Sequence, residues 1–212
     1  MKKIIITSTT GHFGTFLGYD DRYTYPVPPP STIVGILQTI YNRDIDNFKF
    51  GYLFKSDLIF KDDMMIHKRN SEGKRPMKNG EPITAPHFIE LHYNCKLTIY
   101  TDLEEEIQGD YILCMGRAGN IARLHLPIKK VELQNKEWQG FNQFTTKNIG
   151  KGRIKMMNLK SDYNKTLDSY DHQVGQLRFN QVFNFHKNYD EEEKQNVFMW
   201  EMKNGKVSVC ND

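Results

Sequence analysis

With 212 residues, 38% hydrophobic and 26% charged, the chain fits a soluble globular protein of one large domain, or a domain with a small appendage. A formal net charge of +3 is too modest to mark a nucleic-acid partner by itself. Three widely spaced cysteines, Cys95, Cys114 and Cys210, exclude a disulfide framework and form no paired-cysteine metal signature.

Ile4-Ile5-Ile6 is a continuous β-branched run and predicts a buried strand over 3–9. Lys2 and Lys3 precede only three isoleucines, too short an apolar stretch for a signal peptide. No segment reaches the length of a membrane-spanning helix, so a cytoplasmic protein without membrane contact is expected. Over 22–41, Pro26, Pro28, Pro29 and Pro30 hold the chain extended, because each ring fixes φ and bars the preceding residue from helix. Ser31 or Thr32 then caps a helix over 31–42, whose apolar positions Ile33, Ile36, Leu37, Ile40 and Tyr41 follow helical spacing. Gly35 within it costs roughly 1 kcal/mol against Ala, which suggests close approach of another backbone.

Residues 53–67 read as mostly extended. The polar stretch 68–86 holds Gly73, Pro76, Asn79, Gly80 and Pro82 and little that could form a core, which predicts a projecting hairpin or flexible loop. Strands follow over 87–101, 111–114 and 124–133, with a short acidic helix or turn over 102–109. Residues 177–185 supply another strand. Asn204-Gly205 between 197–203 and 206–210 is a strong hairpin signal, because both turn positions tolerate φ > 0. The order β-α-β, excursion, β, reduced helix, β predicts an α+β fold with a ferredoxin-like, RRM-like core over 1–134. The hairpin inserts at about 68–86, and a small β-rich C-terminal subdomain occupies 135–212.

Charge is segregated along the chain. Lys68, Arg69, Lys74, Arg75 and Lys78 face one acid, Glu72, and Lys147, Lys151, Arg153, Lys155 and Lys160 face none over 147–160. Such runs make a local positive field on a nearly neutral molecule. The segment Gly116-Arg117-Ala118-Gly119-Asn120 is a second candidate. Two glycines let backbone N–H groups approach phosphate oxygens, Arg117 can clamp a phosphate bidentately, and the spacing is that of nucleic-acid-gripping KH loops. The same spacing also serves as a plain turn between strands. Arg123 is either a further contact or a salt-bridged surface residue. Phe13, Phe16, Tyr23 and Tyr25 could stack on bases, with core packing the expected role of Phe13 and Phe16. Arg22, charged beside a rigid loop, is the better phosphate contact.

Gly11, Phe13, Phe16, Arg22, Tyr25-Pro26, Pro29-Pro30-Ser31 and Gly35, followed by 113–122 with its Gly116-Arg117 and terminal Ala122, resemble the fifth family of CRISPR-associated (Cas) proteins in the RAMP superfamily. The resemblance implies a non-catalytic subunit that holds the 5′ handle of the CRISPR RNA (crRNA) and caps one end of a type I Cascade antiviral complex. Its partners would be crRNA, the backbone RAMP subunits, the large subunit and, through the complex, target DNA. The 68–86 hairpin would be the family's thumb. The expected RNA-binding residues are Arg22, Ser31, Lys68, Arg69, Lys74, Arg75, Lys78, Gly116, Arg117, Gly119 and Asn120.

A subset of that family comprises metal-independent endoribonucleases using a helical Tyr and an adjacent Lys-His pair. Tyr41 could stand at the Tyr position, but the chain has only the reversed pairs His67-Lys68 and His186-Lys187. Processing of precursor crRNA is therefore the alternative, and no catalytic residue is assigned. His12 is either a further candidate base or an ordinary loop histidine, the latter being the expected reading, and Asp168-Ser169-Tyr170-Asp171-His172 reads as surface. His92 and Cys95, three apart on a strand, should face opposite sides and make a poor metal pair. No cofactor or metal is expected.

Overall fold

The computed structural model describes the chain apart from residues 16–21, 68–76, 83, 108–111, 165, 167–168 and 211–212. Strand β1 (Lys2–Gly11) leads through the proline run into α1 (Pro30–Tyr41), which is followed by β2 (Phe48–Lys55) and β3 (Leu58–His67). Two short pieces, β4 (Met77–Lys78) and β5 (Glu81–Pro82), precede the long β6 (Thr84–Thr101). Next come β7 (Leu113–Cys114), β8 (Ile121–Lys130), β9 (Trp138–Thr145), β10 (Arg153–Asn164) and β11 (Ser169–Phe185). The chain closes with β12 (Tyr189–Asp190), β13 (Gln195–Asn196), β14 (Met199–Lys203) and β15 (Lys206–Val209). The protein is mostly β, and α1 is its single helix among the described residues.

The large antiparallel sheet runs β15-β14-β2-β6-β1-β8-β7, with β3 also paired to β6. Because β1 and β2 are both antiparallel to β6, they point the same way, and the chain between them must cross the sheet. The helix α1 makes that crossing. Its residues Ile33, Val34, Ile36, Leu37, Ile40 and Tyr41 are buried against Ile4 and Ile6 of β1, the Phe48, Phe50, Tyr52 and Phe54 face of β2, and Leu97 and Ile99 of β6. Each fully buried side chain of this kind contributes roughly 1.5–3 kcal/mol. On its other side α1 meets a three-stranded sheet, β10-β11-β9, which adds Phe144, Met157, Leu177 and Phe183 to the same core. Asn204 and Gly205 both take positive φ, 51° and 68°, as the β14–β15 hairpin requires. That hairpin adds to the β2 edge of the large sheet and sends Trp200 into the core.

Several local expectations need correction. The helix begins one residue early, with Pro29 at the N-cap and Pro30 inside the first turn, and no side chain caps it. Proline's preset φ and missing N–H suit the first helical position, so Ser31 and Thr32 fall within the turn instead of before it. Gly35 has nothing within 4 Å of the position its Cβ would take, so no backbone approaches it. Gly35→Ala is accordingly expected to raise stability by about 1 kcal/mol in urea denaturation, whereas a loss would show that the site needs glycine. Residues 102–107 form no helix: the Asp102 carboxylate accepts the Lys49 N–H at 2.8 Å and Thr101 Oγ1 accepts the Leu103 N–H at 3.3 Å. Such local side-chain bonds compete with helix.

The strand alternation is broken at Asn94, with φ at 52°, where the Thr9–Asn94 pair is missing while the β1–β6 register on either side is unchanged. His92 and Cys95 therefore both face inward, contrary to their spacing, and are 1% exposed. His92 is held by Ser56 at 2.9 Å and the Tyr25 carbonyl at 2.8 Å. The acidic residues at 190–193 also gain a role. They lie across the sheet face opposite α1, where Lys3 meets Asp190 and Glu192 at 2.9 Å, and Glu193 meets Lys55 at 2.7 Å and Lys96 at 2.9 Å.

Candidate nucleic-acid interface

The site grows from the end of β1. His12 donates its backbone N–H to the Met115 carbonyl at 3.1 Å, which brings the 115–120 loop beside the β1 exit. Phe13 turns inward against Phe54, with centroids 5.2 Å apart, and His92 at 5.5 Å. The returning chain is pinned there: the Phe13 N–H donates to Thr24 Oγ1 at 2.9 Å and the Tyr25 N–H to the Phe13 carbonyl at 2.7 Å. Arg22 is fixed by its backbone, which donates to the Phe88 carbonyl at 3.0 Å and accepts the Glu90 N–H at 2.9 Å. Its side chain stays exposed.

Arg22 and Arg117 act on each other. Burial lowers the Arg117 pKa from its ordinary value, and the Arg22 guanidinium lowers it further. His12 feels both: burial depresses its pKa first, and Arg117 and Arg22 add to this against the opposing Glu90 carbonyl and carboxylate. Its Nδ1 lies 2.8 Å from the Glu90 carbonyl and must carry the proton, since a carbonyl only accepts. That leaves Nε2 as an acceptor. Among the described residues, neither arginine forms an ion pair with a carboxylate.

The loop glycines differ. Gly116 has φ at +92°, and a Cβ there would lie 1.9 Å from the His12 carbonyl oxygen, so backbone approach requires it. Gly119 has open space around it. Asn120 is 7% exposed and its amide closes the loop, accepting from Thr10 Oγ1 at 3.0 Å and donating to the Met115 carbonyl at 3.3 Å. Ser31 sits in the first turn of α1, on the wall of a cleft of about 360 Å³. That cleft is also lined by His12, Thr32, Gly116, Asn158 and His172. The Asn158 side-chain oxygen is buried without a hydrogen-bond partner. His172 accompanies it from β11 and bonds Ser161 at 2.9 Å.

Of the residues expected from sequence, Ser31 and Gly116 line the cleft, while Arg22 and Arg117 act electrostatically on His12, with Arg117 Nη1 donating to Met64 Sδ at 3.4 Å. Lys78 is elsewhere, exposed on β4, while Lys68, Arg69, Lys74 and Arg75 lie outside the described residues, as does Phe16. The part of the proposed 68–86 excursion that is described is paired: β3 runs antiparallel to β6 from Leu58↔Tyr93 to His67↔Thr84. Asn158 carries no sequence signal, and His172, expected at the surface, is exposed and also lines the cleft; both come from strands more than a hundred residues after Ser31. Tyr25 is buried, and Tyr23 is 43% exposed with Lys61 Nζ 5.8 Å from its ring centroid. Tyr41 is buried near the other end of α1. Burial, with the Glu105 charge behind it, pushes its pKa up to about 12. Among the described residues, no cluster of His, Cys, Asp and Glu could hold a metal ion, and no helix is long and apolar enough to cross a membrane.

Residues 6–81 match the profile of the family described as CRISPR-associated protein (Cas_Cas5). No curated protein sequence matches the chain. Among solved structures, the chain is similar to a chain of the type III-B Cmr-beta complex bound to cognate target RNA and AMPPnP, at 12% identity, TM-score 0.59 and 86% coverage of each chain. It is also similar to a chain of a CRISPR RNA-guided surveillance complex, at 11% identity and TM-score 0.52, over 85% of this chain and 90% of that one. A second structure of Cmr-beta bound to cognate target RNA gives 11% identity, TM-score 0.53 and 86% coverage of each chain. The profile match falls on the segment that carries β1, the proline run and α1, and the chain shares its fold with subunits of CRISPR RNA-guided complexes.

Proposed function

We propose that the chain is a non-catalytic RNA-binding subunit of a CRISPR RNA-guided complex, gripping the 5′ handle of the guide and capping the complex's backbone. The observation that carries this reading is that the charges of Arg22 and Arg117 both act on His12, which shares a cleft with Ser31 and Thr32 of the first turn of α1, while among the described residues neither arginine is paired to a carboxylate. Two like charges held together repel, and an anion between them relieves the repulsion. A helix N-terminus and a guanidinium pair suit a phosphodiester, while the His12 Nε2 acceptor suits a ribose hydroxyl or base amine. Such contacts position a strand without reading it, and target sequence is left to base pairing with the guide.

The sheet order supports the fold side of this reading. Taken in chain order, the four strands β1, β2, β6 and β8 lie side by side as β2-β6-β1-β8, with α1 crossing from the first to the second. We read this order as that of a ferredoxin-like, RRM-like core whose second helix has become a loop. The paired β3–β6 arm is read as the base of the thumb, reaching toward a neighbouring backbone subunit. The buried Tyr41 phenol favours the non-catalytic reading over precursor processing, because a phenol held at about 12 is a poor general base near neutral pH.

The test is binding of single-stranded repeat RNA by the whole chain across a salt series, in EDTA. Arg22→Gln with Arg117→Gln should weaken binding and reduce the slope of log K against log salt by about 1.4, two contacts at roughly 0.7 each. The RNA should be recovered intact. An unchanged slope removes the phosphate-binding assignment, and a discrete product ending in a 2′,3′-cyclic phosphate overturns the non-catalytic one.

A further inference from the structure

On the far side of the proline run lies a cavity of about 690 Å³, lined by Pro26, Lys151, Gly152, Arg153, Lys155, Phe179, Gln181 and Val182. Three of its walls are cations and none is an acid. Among the described residues, Lys151, Arg153 and Lys155 have no ion-pair partner. Arg153 and Lys155, two apart on β10, point to the same side of the strand and stand about 6.6 Å apart along it. That separation is comparable to one nucleotide step of an extended single strand.

The backbone that carries these charges is rigidly set. Arg178 donates from Nε to the Lys147 carbonyl and from Nη1 to the Gly152 carbonyl, both at 2.9 Å. The buried Asn180 amide donates to Thr145 Oγ1 at 2.7 Å and the Ile149 carbonyl at 3.0 Å, and accepts the Gly152 N–H at 2.8 Å. A Cβ on Gly152 would fall 1.6 Å from the Phe179 carbonyl oxygen, so the loop and strand are in direct backbone contact. Cations on such a frame lose little backbone entropy on binding. Phe179, Val182 and Pro26 supply apolar surface between them, suited to ribose and base faces.

The groove continues from the interface already described. Tyr25 lines the His12 cleft, its chain neighbour Pro26 lines this groove, and the Tyr25 hydroxyl donates to the Met156 carbonyl of β10 at 2.6 Å. We propose that this groove is a second RNA site, in which Lys151, Arg153 and Lys155 hold about three further phosphates of the same single strand after it passes over the proline run. The proposal rests on the RNA-binding reading above. An acidic segment of a neighbouring protein is the competing occupant. The linear spacing on one strand and the link through Tyr25 and Pro26 to the His12 cleft favour RNA.

The test uses the whole chain with a fluorescent single-stranded repeat RNA. Lys151→Gln, Arg153→Gln and Lys155→Gln together should lower the salt slope by about 2, additional to the loss from Arg22 and Arg117 substitution. RNA carrying 4-thiouridine, irradiated with the wild-type chain, should crosslink to the groove residues, a result independent of how the variant folds. Retention of the full slope by a folded triple variant, with crosslinks confined elsewhere, overturns the groove alone if the Arg22–Arg117 variant still loses slope. Absence of salt-dependent RNA binding by the wild type overturns both readings. A triple variant that keeps its RNA slope but loses a co-purified acidic subunit assigns the groove to protein and also overturns the proposal.

Discussion

Lys3→Ala is expected to destabilise the fold by about 3–5 kcal/mol, the cost of breaking a buried ion pair by removing one partner. The Lys3 side chain is 0% exposed and Asp190 4% exposed, and they meet at 2.9 Å across 187 residues of chain. Asp190 also receives the Tyr100 hydroxyl at 2.5 Å and the backbone N–H groups of Glu192 and Glu193 at 2.7 and 3.0 Å. Alanine would strand that carboxylate under Leu53, Tyr100, Val197 and Met199, the apolar cluster on this face. Replacing the pair by Lys3→Met with Asp190→Leu should recover most of the loss, because neither charge then needs desolvation. Chemical denaturation of the two variants decides it. A small effect of Lys3→Ala would mean that the 190–193 segment is not seated on the sheet in solution.

The same cluster sets a pH profile. Burial pushes the Asp190 carboxyl up, but hydrogen bonds from Tyr100, Lys3 and the Glu193 N–H outweigh it and hold the group below 3.8. Glu193 is likewise raised by burial and lowered more by Lys55 and Lys96, ending below 4.5. Carboxyls depressed in the folded state contribute stability above their unfolded values and lose it as pH falls through the folded ones. Stability should therefore hold near neutrality and decline from about pH 4.5 downward. On the alkaline side, burial lowers Lys3 while its bonds to Asp190 and Glu192 raise it further, leaving it above 10.5. Its contribution is fully present below 10.5 and is lost only as pH rises through that higher value.

Gly116→Ala and Gly119→Ala should behave oppositely, although the two glycines look equivalent in sequence. Alanine at 116 must adopt φ +92° and place its Cβ 1.9 Å from the His12 carbonyl oxygen, so the loop has to leave β1. A loss of about 3 kcal/mol or more is expected, in the range of strained-backbone and overpacked substitutions. At 119 nothing lies within 4 Å and φ is ordinary, so stability should change by less than about 0.5 kcal/mol. Thermal melts separate the two. Equal melting temperatures would mean that the backbone contact between His12 and Gly116 does not form. Loss of RNA binding by a stable Gly119→Ala protein would give that residue the close-approach role its spacing suggests.

How much was readable from residues alone depends on how local each constraint is. The proline run, the apolar face of α1, the Ile4 to Ile6 strand and the Asn204-Gly205 turn act within a few residues, so their geometry follows from side-chain sterics and period. Arg22 and Arg117 could be named because a charge beside a rigid loop, or between two glycines, has no apolar reason to be there. Their proximity could not be read, since it needs β1, β6 and the 115–120 loop brought together. His92 and Cys95 show the limit in the other direction: alternation is reliable until one residue such as Asn94 takes positive φ and reverses every later side chain.

The profile match over 6–81, the strand-helix opening and the types of residue available to meet phosphate are all written in short-range patterns, so residues alone suffice for them. Long-range contacts were needed to show that Asn120 spends its amide on its own loop, that Asp190 is buried against Lys3, and that the cations of β10 line a groove beside Pro26. The reason is that burial and charge pairing belong to neighbours in space, and the antiparallel sheet order makes neighbours of residues that the chain keeps far apart.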